Sequence, residues 1–211
     1  MLLLFHVHLE IVISKKRFLI IPGLNQSLGL YDFLKSPEYI LDIVEFPCNG
    51  KDKDEYLKFP LNRYGEFLPK NIHYDTVFCH SLGSLVFLTS RSEISFSYDQ
   101  VYLIAPALKT WALAEFFFKI LPDKLVTPSL NMPSRRAFSF CSVGLYYQVI
   151  LLQKKLESIE LDGSHISVVH DPRDELIRYN RLFDNFHYIE YLSIDFPRHL
   201  SLDFIEKCIK V

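Results

Sequence analysis

Short apolar runs of strand length recur along this chain, and a helix-like stretch follows most of them. FLIIP (18–22) precedes SLGLYDFLKS (27–36), in which Leu28, Tyr31 and Leu34 fall on one side. YILDIVEFP (39–47) precedes DEYLKFPLNRYGEFL (54–68), with a break expected at Pro60. YDTVFC (74–79) leads into LGSLVFLTSR (82–91), and DQVYLIAP (99–106) is the next strand. HISVVH (165–170), DELIRYNRLF (174–183), HYIEYLSI (187–194) and LSLDFIEKCIK (200–210) repeat the strand–helix pair twice more. This alternation predicts an α/β fold, with a mostly parallel central sheet and helices on both faces. The 211 residues suit one domain, 1–211, with a substantial core.

Residues 107–160 break the rhythm. TWALAEFFFKIL (110–121) is apolar and aromatic, Pro122, Pro128 and Pro133 follow, and VGLYYQVILLQKKL (143–156) resumes a helical pattern. This is either a short helical lid inserted over a pocket or two core helices joined by a loop. The N-terminal MLLLFHVHLEIVIS has no basic region and no small-residue cleavage site of a signal peptide. In it His6, His8 and Glu10 alternate with Phe5, Val7, Leu9 and Ile11, the pattern of a half-buried strand. No other segment offers the roughly 18 apolar residues of a membrane span. A soluble protein is expected.

Acidic and basic residues nearly cancel, leaving a formal charge of -2, and no basic run points to nucleic acid. Cys48, Cys79, Cys141 and Cys208 form no C-x-x-C pair, so zinc and redox-motif readings find no support. A reduced, cytoplasmic setting is the simplest expectation. The 49% hydrophobic content excludes a disordered chain. The abundant aromatics suit an apolar pocket, though core packing accounts for them nearly as well.

The segment VFCHSLGS (77–84) carries the chemistry. A strand runs into Ser81 and a helix starts at once, which is the setting of a nucleophile elbow. Such a turn brings strand and helix backbones together, so small residues are needed two positions before and after the serine. Cys79 and Gly83 occupy them, Cys79 where glycine is usual. The competing reading of Ser81 is a helix N-cap.

Six segments in order resemble the α/β-hydrolase family over nearly the whole chain. FLIIPGLNQS (18–27) is similar to the family's strand ending in a Pro-Gly or His-Gly turn, and VEFPCNG (44–50) to its D-x-P-G-x-G loop. FCHSLGSLVFL (78–88) looks like the G-H-S-x-G-G elbow, with Ser84 where a second glycine is usual, and VYLIAPAL (101–108) like the strand after it. VVHDPRDELI (168–177) resembles the loop bearing the acid, and FPRHLSLDFI (196–205) the loop bearing the histidine.

The resemblance implies a Ser-His-Asp triad in the chain order serine, acid, histidine. Ser81 is then the nucleophile and His199 the base. Asp174 is the acid, with Asp171 the alternative and Asp195 a more distant one. Asp174 also reads as a helix N-cap, Asp171 as a turn residue before Pro172, and His199 as a surface residue at a helix start. His80, next to the nucleophile, reads as structural. The oxyanion donors are the backbone N–H groups of Leu82 and Leu24, with Asn25 the fallback. No metal or organic cofactor is implied. The implied reaction is hydrolysis of a carboxylic ester or thioester, carried by a small molecule or an acyl carrier. Small carboxylesterases, monoacylglycerol-lipase-like enzymes and pimeloyl-acyl-carrier-protein methyl ester esterases share these features. Transient membrane-surface contact through 110–121 and a fold kept for binding alone are the other readings.

Overall fold

The computed structural model describes residues 14–50, 56–57, 59–109, 116–117, 119–129, 134–161, 163–174, 177, 181–195 and 198–210. The strand expected at 5–11 lies outside them. Eight strands are present among the described residues: β1 (Arg17–Ile21), β2 (Ile40–Ile43), β3 (Lys70–His80), β4 (Ser95–Ile104), β5 (Val126–Pro128), β6 (Phe140–Ser142), β7 (Ile166–His170) and β8 (His187–Glu190). The α-helices are α1 (Leu82–Thr89), α2 (Val143–Glu157) and α3 (Leu202–Ile209). Six strands form one parallel sheet in the order β2-β1-β3-β4-β7-β8. The antiparallel pair β5–β6 stands apart.

Period-two alternation sends neighbouring side chains to opposite faces of the sheet. Leu19, Ile21, Val77, Cys79, Val101, Leu103, Ile166 and Val168 join the core shared with α1 and α2. Phe18, Ile20, Phe78, Ile104 and Val169 join a second core with Tyr31, Leu34 and the α3 residues Leu202, Phe204, Ile205 and Ile209. Burying both faces leaves no polar alternation in β7, whose five residues are all buried.

The helix expected at 27–36 is the 3₁₀ segment Leu28–Leu34, and beyond the break expected at Pro60 the helix expected at 54–68 is the 3₁₀ segment Leu61–Phe67, while residues 54–55 and 58 lie outside the described residues. Gly29 and Pro37 confine the first, while Pro60, Gly65 and Pro69 confine the second. Of the helix expected at 174–183, residues 175–176 and 178–180 lie outside the described residues, and Arg181–Asn185 is 3₁₀. β3 is longer than the apolar run 74–79, because main-chain pairing with β4 continues to Lys70↔Ser95 past a register shift. β2 and β8 are shorter than the runs 39–47 and 187–194 that contain them.

Within 107–160, α2 buries Val143, Leu145, Val149, Leu152 and Leu156 against the core shared with α1. Its N-terminus is capped by Ser142, whose hydroxyl accepts the Leu145 N–H at 3.2 Å. The segment 134–140 docks on the loop after β1 through Ala137 N–H to Asn25 O and Ser27 N–H to Arg135 O. By contrast, Phe116 and Phe117 of the 110–121 stretch are 58% and 47% exposed. Among the described residues, no helix is long and apolar enough to cross a membrane.

The strand order reverses direction at β1. β2 lies on one side of β1 and β3 on the other, so the loops leaving β1 and β3 diverge at the sheet's carboxyl edge, the place where open α/β sheets bind their ligands. The register aligns Ile21 with Cys79, His80 with Ile104 and His170 with Glu190. The loops carrying Leu24, Ser81, Asp174 and His199 all leave that edge.

Candidate active site

Ser81 joins β3 to α1 with φ 48 and ψ -109. A positive φ is uncommon for a residue with a Cβ and marks a conformation the surroundings enforce. Three main-chain bonds do so: Ser81 N–H donates to Ile104 O at 2.9 Å, and Ser81 O accepts from Ser84 N–H at 3.1 Å and Ala107 N–H at 3.3 Å. Ser81 occupies the N-cap position of α1, yet its hydroxyl makes no capping hydrogen bond. The N-cap reading therefore does not account for it, and the half-buried side chain remains available for chemistry. Gly83 is where strand and helix meet. A Cβ there would lie 2.1 Å from Ile21 O and 2.7 Å from Pro22 O, closer than any side chain permits.

Leu24 lies in the loop after β1, two residues beyond Pro22, whose carbonyl faces Gly83 of this elbow. Gly23 N–H is taken by Gln26 Oε1 at 2.6 Å. Asn49 braces the loop from the β2 side, donating to Gly23 O at 2.8 Å and Gln26 O at 2.9 Å. Asn25, the fallback donor, adopts φ 54 and turns its side chain away to Ser129 Oγ and Phe138 O, both at 2.8 Å. Leu82 is the first residue of α1, where backbone N–H groups have no partner within the helix and the helix dipole is positive.

The two aspartates after β7 behave differently. Asp171 is buried, and its carboxylate accepts from Arg173 N–H at 2.9 Å, Arg173 Nε at 2.9 Å, Arg173 Nη2 at 2.7 Å and Ser193 N–H at 2.8 Å. The Arg173 guanidinium, foremost among these, holds the Asp171 carboxyl down at about 2. Asp171 is thus fully engaged in bracing the β7 loop to the β8 loop. Asp174 closes the turn, donating its N–H to Asp171 O at 2.9 Å, and its Oδ1 accepts the Ile177 N–H at 2.8 Å. That bond closes a turn three residues long on the Asp174 carboxylate. Asp195 is also occupied, its Oδ2 accepting the Asp203 N–H at 2.8 Å at the start of α3.

His199 lies in the 3₁₀ turn Arg198–Leu200 between β8 and α3 and is only 4% exposed. The surface reading is therefore excluded. Its Nδ1 is buried with no hydrogen-bond partner among the described residues, so a base–acid hydrogen bond is not made in this conformation. Burial, reinforced by the Arg135 charge, pushes the ring down to about 4, so His199 is neutral near pH 7. His80 is completely buried. Its Nε2 lies 2.7 Å from His199 O, and its Nδ1 lies 3.0 Å from Gln26 Nε2. Gln26, Asn49 and Arg135 were not foreseen. Gln26 and Asn49 flag themselves only as polar residues in the P-G-L-N-Q-S and P-C-N-G turns, and Arg135 carries no local signal.

The sheet order, the crossing at Gly83 and the strained serine define an α/β-hydrolase fold. Solved structures share it along nearly the whole chain. One is described as "LipS and LipT, two metagenome-derived lipolytic enzymes", with 13% identity, 93% of this chain and 94% of that chain covered, and TM-score 0.66. Another is a monoacylglycerol lipase of Paleococcus ferrophilus, at 12% identity, 93% and 96% coverage and TM-score 0.57. A third is mouse alpha/beta hydrolase domain-containing protein 10, at 12% identity, 92% and 88% coverage and TM-score 0.58. No protein-family model and no curated protein matches the sequence.

Proposed function

We propose that this protein is a serine hydrolase that cleaves a carboxylic ester or thioester with an apolar acyl group through an acyl-enzyme on Ser81. The observation that carries the reading is Ser81 itself: held at φ 48 on the strand–helix turn, with a hydroxyl that caps nothing. Lipolytic enzymes among the structures of the same fold agree with it.

In this mechanism Ser81 Oγ attacks the substrate carbonyl carbon and its proton passes to His199. The carbonyl π electrons move to oxygen, and the N–H groups of Leu82 and Leu24 hold the resulting oxyanion. Collapse breaks the carbon–oxygen or carbon–sulfur bond, and His199 returns its proton to the leaving alcohol or thiol. Water then attacks the acyl-enzyme, again losing a proton to His199, and releases the carboxylic acid and free Ser81. Asp174 is favoured as the acid that orients His199, because Arg173 and the Ser193 N–H already occupy both oxygens of the Asp171 carboxylate. Catalytic hydrogen bonds are often completed only in the substrate complex, and the bond from Asp174 to His199 is expected there.

The test combines a fluorophosphonate probe with a panel of p-nitrophenyl esters of increasing acyl length and acyl thioesters. Wild type should label and turn over; Ser81→Ala should do neither, with kcat down by roughly 10^4-fold or more. Folded wild type that neither labels nor hydrolyses any member is a binding protein on a hydrolase fold. Exposed Phe116 and Phe117 favour one addition, transient contact of this face with a lipid surface. Liposome co-sedimentation should fall in Phe116→Asp/Phe117→Asp; unchanged partitioning refutes it.

A further inference from the structure

A hydrogen-bonded chain crosses the base of the candidate site and ends on two backbone groups of fixed polarity. At one end the Gly23 N–H can only donate, and it donates to Gln26 Oε1 at 2.6 Å. Tyr31 OH donates to the same oxygen at 2.9 Å. The Gln26 amide is thereby oriented, and its Nε2, which can only donate, meets His80 Nδ1 at 3.0 Å. His80 Nδ1 must then be the bare acceptor, which leaves the ring proton on Nε2. At the other end the His199 carbonyl can only accept, and His80 Nε2 stands 2.7 Å from it. Both ends demand the same tautomer, and the chain is buried, with Tyr31 and His80 at 0% exposure, Gln26 at 2% and His199 at 4%.

These contacts link two loops and the end of β3, which are far apart in sequence. Gln26 belongs to the loop offering Leu24, His80 is the residue before Ser81, and His199 stands after β8. The rings of His80 and His199 also stack, with centroids 6.4 Å apart and planes 27° from parallel.

We propose that His80 is the positioning residue for His199: its Nε2–H fixes the backbone of the base-bearing turn against the elbow, and Gln26 fixes the tautomer that makes this possible. This rests on the reading of His199 as base to Ser81. The device couples the oxyanion loop, the nucleophile and the base, so displacement of the Gly23 turn is transmitted to His199 through two side chains.

Two substitutions separate positioning from filling space. In His80→Gln the longer amide places a donor where Nε2 stood, so the bond to His199 O is kept. In His80→Asn the amide reaches only the Nδ1 position, and that bond is lost. With a p-nitrophenyl ester, His80→Asn should lower kcat about 10- to 100-fold with KM little changed, as expected for a misplaced catalytic group. His80→Gln should recover most of it, to within about 5-fold of wild type. Equal kcat in the two variants overturns the proposal. Long-range ¹H–¹⁵N correlation of the wild type gives a readout independent of turnover and of the variants' folding: His80 should carry its proton on Nε2, and an Nδ1–H tautomer overturns the proposal. Failure of wild-type Ser81 to label with fluorophosphonate removes the hydrolase reading and the role of His80 with it. Labelled wild type with indistinguishable His80→Asn and His80→Gln removes the role of His80 alone.

Discussion

Acidification from about pH 7 to about pH 5 should destabilise the fold through His80, and the amount follows from its surroundings. Burial foremost drives the ring down from 6.5 to about 3, the bond to His199 O opposing only part of this. The folded protein therefore keeps His80 neutral over a range in which the unfolded chain takes up a proton. Stability rises with pH wherever the unfolded state binds more protons. The contribution is complete above 6.5 and is lost as pH falls toward about 3. Over the 1.5 units between 6.5 and 5, at about 1.36 kcal/mol per unit, His80 accounts for a loss of ~2 kcal/mol. His199, pushed down to about 4, adds a second loss of the same sign. Asp171, held at about 2, remains ionised throughout and adds nothing in this window. Urea unfolding of wild type and His80→Gln at the two pH values isolates the His80 part, because glutamine does not titrate. The wild type should lose ~2 kcal/mol more than the variant. If both lose the same amount, His80 is not held neutral in the fold and the reasoning fails.

Gly83→Ala should be among the most damaging single-methyl changes in the chain. Its Cβ, 2.1 Å from Ile21 O, forces α1 off β1 by an ångström or more, costing about 1–3 kcal/mol of stability. It should also lower kcat toward 100-fold, and unchanged denaturation and kinetics would contradict the crossing. Asp174→Asn and Asp171→Asn should divide cleanly. The first should lower kcat roughly 10^3- to 10^4-fold with the melting temperature little changed. The second should melt earlier while retaining activity where folded, because it breaks the Arg173–Ser193 brace; the opposite pattern would exchange their roles. The acid limb of kcat/KM should fall below pH 6.5, since burial and Arg135 hold His199 neutral to lower pH. A limb at or above 6.5 in the pH–rate profile refutes this.

What could be read from the sequence was local, and what could not was tertiary. Continuous apolar runs marked β1, β7 and the C-terminal ends of β3 and β4 because the sheet is covered on both faces there, and Ser81 and Gly83 declared the turn between β3 and α1. The 3₁₀ segments show that a helical apolar pattern does not fix helix type when proline and glycine limit its length. The β5–β6 pair is three residues per strand, too short for any alternation to register. Asp171 and Asp174 look equivalent in D-P-R-D. Only Arg173 folding back, and Ser193 arriving from the β8 loop, commit one of them to a structural brace. The Gln26–His80–His199 chain has separations of 54 and 119 residues, so no window of sequence contains it.

The departures at Cys79 and Ser84 become intelligible once the steric demand of the elbow is placed. The close approach of α1 to the sheet falls on β1, at Ile21 O and Pro22 O, and only Gly83 faces it. Cys79 lies inside β3, paired with Ile21 and Leu103, and points into the core shared with α1 and α2. A small apolar group is suited to that position, and burial raises the Cys79 thiol well above its ordinary value, keeping it neutral. Ser84, where a second glycine is usual, donates its hydroxyl to Cys79 O at 2.8 Å and ties the first turn of α1 to the end of β3. That bond uses the Cys79 main chain, so the two departures act separately, Ser84 through its hydroxyl and Cys79 through the small size of its side chain. The elbow depends on glycine on the helix side, where backbone meets backbone. On the strand side it needs only a side chain small enough to let α1 pack down.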